Sequence, residues 1–370
     1  MVTGIYAKSD LRSSRLVDDQ VHEGIQVKVL NISIDNRQSF LHRIGSFISY
    51  ATLSSWYAMS LPADVVVASS GPITVGIPGL VAKLLRRKPL VFEVRDLWPD
   101  GAIELGVLRN PLLKSFSRWF EMRCYRNANA IVALSPGIQN IIQTKSGHPR
   151  VESVTNSANI DLFSTPQKFP GNSPVAAGSY ALYSGNIGEV NQAMTLVDCA
   201  EELSMHGRSD LNILLIGDGQ LRNAVEREKS RRNITNLYLL PLMPKSDLVA
   251  YVQHALTALV SLKGTPVLDT SSPNKLFESL AAGVPVIQTT QGWMKEMVER
   301  EGVGLSVPAG DASAMAKAIV YLDAHPVKRI AMKDRAALLA STQFDKDKLA
   351  AQMLRVLLGS VNSTFNPISN

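Results

Sequence analysis

Short runs of apolar residues alternate with amphipathic stretches along most of the chain, and this alternation restricts the possible folds more than any other feature. The runs are rich in Val, Ile and Leu, as strands of buried parallel sheets are. The stretches between them have helical periodicity. We therefore predict an α/β protein in which helices cover both faces of parallel sheets. The predicted strands are Val27–Val29, Asp64–Ala68, Leu90–Val94, Ala130–Ala133, Tyr180–Ser184, Leu211–Ile216, Leu237–Leu240, Leu256–Leu262 and Val284–Gln288, and the predicted helices include Ala193–His206, Gln220–Arg231, Ser246–His254 and Pro273–Ala282.

The length of 370 residues favours two domains, since domains usually hold about 100–200 residues. Residues 163–180 are rich in Pro, Gly and Ser and have no periodic pattern, which is typical of a linker. We predict a first domain at residues 1–165 and a second at 176–341. Residues 342–370 are predicted to form a helix and tail that pack back on the first domain.

Cysteine content and the amino terminus both indicate a cytoplasmic protein. Cys124 and Cys199 are far apart and form no CxxC motif, which indicates a reducing compartment and no structural zinc. The first residues contain no apolar h-region, so we expect no signal peptide. The net charge of +6 suits a nucleic acid, an anionic lipid or a phosphorylated substrate. The basic residues are spread along the chain without a base-reading module, so nucleic acid is the least favoured partner.

Two stretches, Ile44–Ala63 and Val65–Ala82, contain no charged residue and could be read as membrane spans. A transmembrane helix needs about 20 predominantly apolar residues. The first stretch contains many serines. The second contains glycine and proline, which predict a strand, a turn and a helix. We favour burial in an α/β core, or shallow contact with a bilayer, over spanning.

The segment SPNKLFESLAAG, Ser272–Gly283, combines several groups that bind nucleotides. Ser272 or Pro273 opens a helix, where proline suits the first position. Lys275 and Glu278 are three residues apart and can project from the same side. A helix amino terminus and a lysine favour phosphate, and a carboxylate accepts ribose hydroxyls. A surface Lys–Glu ion pair is the open alternative.

Glycines follow two predicted strands of the second half. In YSGNIGEV, Gly185 and Gly188 allow a phosphate to approach the backbone closely. In LLIGDGQLR, Gly217 and Asp218 form a second strand-end turn, which lacks the third glycine of a dinucleotide fingerprint.

In the first half, FEVRDLWPDG places Arg95, Asp96 and Trp98 directly after a predicted strand. The carboxyl ends of parallel strands face the ligand cleft of an α/β protein, so these residues are candidate site residues. A strand-end salt bridge, with Trp98 filling space, is the open alternative.

These segments together resemble glycosyltransferase family 4. SPNKLFESLAAG is similar to the family's nucleotide-sugar motif, an acidic residue followed by seven others and then Glu. Glu278 matches the second acid, Thr270 stands at the place of the first, and Asp269 is its neighbour. FEVRDLWPDG resembles the RDLWP signature of bacterial transferases that build colanic acid and O-antigen repeat units, such as the fucosamine transferase group. LSPGI and VTNSANIDLF also match family patterns.

The resemblance implies the GT-B fold, two Rossmann-like domains that face each other across a cleft. It also implies retention of anomeric configuration and no obligatory metal or cofactor. The family begins with a strand, a Gly-rich loop and a helix. Because the chain opens at MVTG, similar to the end of a second strand, we predict that the first βα unit is missing. The implied catalytic residues are Arg95, Asp96 and Glu278, and the implied donor-binding residues are Gly185, Asn186, Gly188, Gly217, Asp218, Asp269, Thr270, Asn274, Lys275 and Glu278.

The predicted function is therefore that of a retaining glycosyltransferase. It would move a sugar from a nucleotide-diphosphate donor, of the UDP class, to a lipid-linked glycan during capsule, O-antigen or exopolysaccharide synthesis. Two alternatives stay open: a catalytically impaired binding subunit, and a UDP-sugar epimerase of the same fold. The epimerase is less favoured, because we find no cluster of catalytic acids and histidines.

Two further patterns bear on partners. Asn110–Arg126 predicts a basic amphipathic helix, which suits an anionic membrane surface on the inner face of the cell membrane. A core-facing helix is the alternative. The apolar stripe of the amphipathic helix comprises Leu112, Leu113, Phe116, Trp119 and Phe120.

Asp345 and Asp347 form a D-x-D string, but they lie in the first turn of a predicted helix, Lys346–Leu358, where acids favour the dipole. We therefore expect no metal there.

Overall fold

The computed structural model describes residues 1–6, 11–34 and 40–365 of the chain. The chain divides into two compact units. Unit 1 comprises Met1–Leu134, Ile138–Ser153 and the residues from Met353 onward, and unit 2 comprises Ser135–Gly137 and Val154–Gln352.

The first half of the chain forms strands β1–β7 and helices α1–α5. In chain order these are β1 (Val2–Tyr6), β2 (Val17–His22), β3 (Ile25–Ile34), α1 (Phe40–Ser60), β4 (Val66–Ser70), α2 (Gly76–Arg86), β5 (Leu90–Val94), α3 (Asp100–Glu104), α4 (Pro111–Asn127), β6 (Ala130–Ala133), α5 (Pro136–Ser146) and β7 (Val151–Ser153).

Two sheets organise unit 1. The first is a parallel four-stranded sheet in the order β4-β5-β6-β7. The second has the order β1-β3-β2, in which β1 is parallel and β2 antiparallel to β3. The β2–β3 hairpin turns through Glu23 and Gly24, which both have positive φ, as a two-residue type I′ turn requires. The sequence did not predict β2, because VDDQVH is not a continuous apolar run. The opening MVTG, which resembles the end of a strand, overlaps β1.

The two uncharged stretches lie in this half. Residues 44–60 belong to α1, and residues 65–82 form β4, a turn and part of α2, as predicted. No helix in the described part of the chain is long and apolar enough to cross a membrane.

Unit 2 contains strands β8–β13 and a helix after almost every strand. In chain order the elements of the second half are α6 (Ile160–Ser164), β8 (Tyr180–Asn186), α7 (Ala193–Met205), β9 (Asn212–Asp218), α8 (Arg222–Arg231), β10 (Leu237–Leu240), α9 (Lys245–Gln253), β11 (Thr257–Val260), α10 (Asn274–Ala281), β12 (Val286–Gln288), α11 (Trp293–Glu301), β13 (Gly304–Ser306), α12 (Ala312–Ala324), α13 (Pro326–Gln343) and α14 (Lys346–Phe365).

The sheet of unit 2 is entirely parallel, with the order β10-β9-β8-β11-β12-β13. This is the strand order of a Rossmann-like sheet. Alternate residues of β8 pack on opposite faces: Tyr180 and Leu182 belong to one core cluster, and Ala181 and Tyr183 to the other. Burial on both faces explains why these strands read as continuous apolar runs. The predicted α/β architecture with parallel sheets is therefore confirmed.

Residues 154–165, which we predicted at the end of the first domain, lie in unit 2. The backbone N–H of Ala158 donates to the carbonyl of Phe344 at 2.9 Å. Phe163 is fully buried in the core of unit 2. The chain therefore joins unit 2 before the Pro- and Gly-rich segment begins.

The carboxylate of Glu121 on α4, only 1% exposed, is the centre of a buried ionic cluster in unit 1. Lys145 Nζ lies 2.5 Å from Glu121 Oε2 and 2.9 Å from Asp100 Oδ2. Tyr125 Oη donates to Glu121 Oε1 at 3.0 Å. Burial raises the pKa of Glu121, and the Lys145 ammonium opposes that rise. The cluster thus links α3, α4 and α5.

The variant Lys145→Met should lose about 3–5 kcal/mol of unfolding free energy, because it leaves a buried carboxylate without its cation. Lys28→Met is the matched control, since Lys28 lies 2.6 Å from Asp19, whose side chain is 71% exposed. The control should lose at most about 1 kcal/mol. Urea denaturation of both variants measures the difference. Equal losses would show that the cluster contributes no more than a surface ion pair.

Candidate functional site

The strand order of unit 2 reverses between β8 and β11, and the candidate site lies at the carboxyl ends of these strands. The chain runs from β8 outward to β10, and then returns to β11 on the other side. Ligands of open α/β sheets bind at such a switch point, outside the carboxyl ends of the strands. The predicted residues Gly185 and Asn186 end β8, and Gly217 and Asp218 end β9.

Gly185 and Gly217 pair in register at these strand ends. Both have positive φ, at 130° and 154°. A Cβ atom on Gly217 would lie 1.9 Å from the carbonyl oxygen of Gly185, so no other residue fits there. The two strand ends therefore carry no side chains at this point, where Gly185 is partly exposed and Gly217 is buried.

The other predicted loop residues brace this edge. The carbonyl of Asn186 accepts from Tyr183 Oη at 2.7 Å. The carboxylate of Asp218 accepts from the Gly219 N–H at 2.8 Å. Gly188 has an extended backbone with φ of −146°, so its backbone conformation does not by itself require glycine.

Lys275, in the first turn of α10, extends its ammonium to the end of β8. Nζ lies 3.6 Å from the centre of the Tyr183 ring, and a Cβ atom on Gly185 would lie 3.5 Å from it. Nζ is buried and makes no hydrogen bond to any described residue. Burial lowers the pKa of Lys275 to about 7, although the nearby Glu278 carboxylate raises it. The Tyr183 ring face stabilises the charged form, and the free donors can bind an anion.

Glu278 lies one turn further along α10 and pairs with a residue that the sequence analysis did not single out. Its Oε1 lies 2.7 Å from Nζ of Lys245, the first residue of α9. The Glu278 side chain is only 9% exposed. No ion pair joins Lys275 to Glu278 within 4.0 Å. The alternative of a surface Lys275–Glu278 pair is therefore wrong.

Thr270 and Asp269, at the place of the family's first acid, are both engaged in local bonds. Thr270 Oγ1 donates to the carbonyl of Val267 at 2.7 Å, and its own carbonyl accepts from Ser135 Oγ at 2.6 Å. Asp269 Oδ1 accepts from the N–H of Gln291 at 2.7 Å. These bonds hold the loop before α10 against the start of α11. Asn274, the first residue of α10, is exposed.

Sequence reasoning missed three residues of this edge besides Lys245. Tyr183 supplies the ring under Lys275, and its place two residues before Gly185 was the available signal. Ser261 directly follows β11 and Ser272 precedes α10; both have buried Oγ atoms that bond to no described residue. The β11–β8 register puts Ser261 level with the end of β8. These unbonded hydroxyls are available hydrogen-bond donors.

Arg95 and Asp96 lie in unit 1, directly after β5. Both are exposed, and neither forms an ion pair with a described residue. The N–H of Arg95 donates to Ser70 Oγ at 3.3 Å, which fixes the backbone at the strand end. The alternative of a strand-end salt bridge is therefore not realised among the described residues.

Potential metal ligands are not grouped in this part of the chain. Among the described residues, no three or more His, Cys, Asp or Glu side chains lie together as a metal site. Asp345 Oδ1 accepts from the N–H groups of Asp347 and Lys348 at 2.7 and 3.3 Å. The D-x-D string thus caps α14, as its position predicted.

The lowered pKa of Lys275 makes a prediction for stability. Between about pH 7 and the ordinary lysine pKa of 10.5, the unfolded chain binds a proton here that the folded chain does not, so stability should rise with pH. Lys275→Met should remove this rise, whereas the half-exposed control Lys263→Met should keep it. Urea denaturation between pH 7 and 10 measures both slopes. If the free energy of unfolding rose with pH equally in wild type and in Lys275→Met, the lowered pKa of Lys275 would be contradicted.

Comparisons with known proteins agree with this architecture. Residues 5–157 match the family model described as "Glycosyl transferase 4-like domain", and residues 178–325 match "Glycosyl transferases group 1". The teichuronic acid biosynthesis glycosyltransferase TuaH of Bacillus subtilis is 24% identical over 58% of this chain and 53% of its own length. This match therefore spans about half of that relative. The phosphatidyl-myo-inositol mannosyltransferase of Mycobacterium leprae is 23% identical over 80% of this chain and 84% of its own length.

Solved structures share the fold at low sequence identity. Anabaena HepE in complex with UDP and glucose aligns with a TM-score of 0.65 and 16% identity, over 90% of this chain and 86% of that one. Sucrose-phosphate synthase from Thermosynechococcus elongatus aligns with a TM-score of 0.72 and 16% identity, over 97% and 89%. With its parallel sheets, its two family matches and these GT-B neighbours, the chain is a glycosyltransferase family 4-like protein.

Proposed function

We propose that the protein is a retaining glycosyltransferase that transfers a sugar from a nucleotide-diphosphate donor of the UDP class to a lipid-linked glycan. One observation carries the proposal: the buried, unpartnered ammonium of Lys275 lies beside the glycine-ended strand β8, at the switch point of a Rossmann-like sheet. Anabaena HepE, which shares the fold, was solved with UDP and with UDP-glucose, and this supports the choice of nucleotide.

The donor would be held by its diphosphate and its ribose. Lys275, the amino terminus of α10 and the Gly185–Gly188 loop would bind the diphosphate, because a lysine and a helix amino terminus favour anions. Ser261 and Ser272 would donate further hydrogen bonds to it. Glu278 would accept the ribose hydroxyls. The remaining predicted donor residues, including Asp269, Thr270 and Asn274, would border this site.

During transfer, the bond between the anomeric carbon and the diphosphate oxygen breaks, a bond to an acceptor hydroxyl oxygen forms, and the hydroxyl proton passes to the departing diphosphate. The electron pair of the broken bond stays on the diphosphate, so negative charge grows there. A preorganised cation in a site with little water stabilises such charge most effectively. Lys275 fits this role, since an incoming phosphate favours its charged form. We assign Arg95 and Asp96 to the sugar and the acceptor. The proposal needs no metal or cofactor.

The biological setting is proposed to be surface polysaccharide synthesis, such as capsule, O-antigen, colanic acid or exopolysaccharide. The RDLWP signature at Arg95–Pro99 supports it, and one relative is named for teichuronic acid biosynthesis. The acceptor would then be a lipid-linked glycan at the inner face of the cell membrane, reached by a cytoplasmic protein that binds the membrane peripherally.

Helix α4 supplies a surface suited to that location. The structure exposes most of its apolar stripe, including Leu112, Phe116 and Trp119. The residues of α4 that face the core of unit 1 are instead Glu121, Cys124 and Tyr125. The core-facing alternative for the stripe is therefore wrong. Exposed arginines on the same helix, Arg118, Arg123 and Arg126, complement anionic lipid.

The donor site can be tested with UDP. Lys275→Ala should weaken the binding of UDP and of UDP-sugar by a similar factor of roughly ten to a hundred. Both ligands carry the diphosphate, and a charge-assisted contact contributes about 1.5–3 kcal/mol. Glu278→Gln should weaken UDP less than Glu278→Ala, since the amide keeps one acceptor oxygen. Calorimetric titration measures the affinities.

Lys346→Gln, outside the site, is the control and should bind UDP as wild type does. Unchanged UDP affinity in Lys275→Ala would remove the diphosphate role. Wild-type UDP binding without donor hydrolysis or sugar transfer would instead favour the impaired binding subunit.

Membrane association is tested by sedimentation with liposomes. The protein should sediment with anionic vesicles and be released by salt, since each basic residue near such a surface contributes on the order of 1 kcal/mol. Replacing Leu112, Phe116 and Trp119 by serine should reduce binding. Serine at Val327 and Ile330, exposed apolar residues of α13, should not. Equal partitioning to neutral and anionic vesicles would argue against the role of α4.

A further inference from the structure

We propose that Lys245 is a positioning residue that holds the Glu278 carboxylate in place for the ribose of the nucleotide. The inference rests on the proposed function and deepens it. It adds to the donor site a residue on a second helix, which the nucleotide-sugar motif does not contain.

The ion pair is held by packed helices and not by a flexible loop. Lys245 is the first residue of α9 and follows Pro244, which has an extended backbone. Leu248 and Val252 of α9 lie in the same buried core cluster as Leu276 and Leu280 of α10. Both backbones are fixed by this packing, and Lys245 Nζ lies 2.7 Å from Glu278 Oε1 as an ion pair.

The two side chains of the ion pair differ in exposure. Glu278 is 9% exposed and Lys245 is 62% exposed. A nearly buried carboxylate without a partner is costly, and Lys245 is the one described residue that pairs with it. Its contact is with Oε1, and no described residue bonds to Oε2. A carboxylate oxygen can accept two hydrogen bonds, so the ribose hydroxyls can bind while the ion pair persists.

The position of Lys245 on α9 is unfavourable for the helix itself. A cation in the first turn opposes the helix dipole, whose positive end lies there. Asp247, two residues later, is the acid that suits this end. Lys245 therefore does not serve α9. Its favourable interaction is with Glu278, on the neighbouring helix.

The experiment compares Lys245→Gln with a matched control, Lys346→Gln. Lys346 is also the first residue of a helix and also pairs with an acid, but that acid is Asp161, which is 88% exposed and outside the site. The probes are UDP and 2′,3′-dideoxy-UDP, which lacks the ribose hydroxyls, titrated by calorimetry. Melting curves of each variant run alongside.

Lys245→Gln should lower the affinity for UDP up to about tenfold. This is the loss expected when one hydrogen bond from the ribose to the charged Glu278 is disturbed. Its affinity for dideoxy-UDP should stay within about twofold of wild type, because this nucleotide has no ribose hydroxyl that can bond to the Glu278 carboxylate. The double variant Lys245→Gln/Glu278→Gln should bind UDP as Glu278→Gln alone does. Lys245→Arg keeps the ion pair and should restore UDP affinity. The control should bind both nucleotides as wild type does.

Equal weakening of both nucleotides would overturn the inference, since Lys245 would then act on the diphosphate charge. Unchanged UDP affinity in a folded Lys245→Gln variant would overturn it as well. If that variant melts before it can be titrated, Lys245→Arg and the double variant decide. Wild-type protein that binds neither nucleotide would overturn the proposed function itself, whereas the other outcomes bear on Lys245 alone.

Discussion

The backbone contact between Gly185 and Gly217 is the constraint on which the candidate site depends. A Cβ atom at Gly217 would meet the carbonyl of Gly185 at 1.9 Å, so these parallel strand ends can approach only without side chains. The contact removes the two side chains that would otherwise fill the switch point. It leaves space for the Lys275 ammonium beside the Tyr183 ring. A Cβ atom on Gly185 would already lie 3.5 Å from the Lys275 ammonium, so a larger side chain there would compete for its place.

The two lysines near Glu278 differ in their surroundings, and that difference separates their roles. Lys275 Nζ is enclosed, contacts an aromatic face and has a lowered pKa. Lys245 is mostly in solvent and contacts a carboxylate. Lys275 is suited to bind an anionic ligand, and Lys245 is suited to orient the Glu278 carboxylate. In the proposed donor site, phosphate and ribose would be bound by residues on adjacent turns of α10.

Much of this fold follows from local patterns, whereas the site's pairings do not. The strands Leu90–Val94, Ala130–Ala133 and Leu237–Leu240 have the predicted bounds, because continuous apolar runs identify strands buried on both faces. Strand β2 escaped prediction, since VDDQVH is not an apolar run, and only Val27–Val29 of the longer β3 was predicted. The sequence located Lys275 and Glu278 but not Tyr183 or Lys245 as their contacts, because those contacts join separate strands and helices through packing.

The lowered pKa of Lys275 also couples ligand binding at this site to the pH of the solution. If Lys275, with a pKa of about 7, receives a phosphate group, its charged form is stabilised, and a proton must be drawn from the solvent whenever the lysine was neutral before. Ligand arrival and departure would then be accompanied by proton uptake and release. Above neutral pH, Lys275 in the empty site would be mostly neutral. The empty site would then attract small anions other than the ligand only weakly.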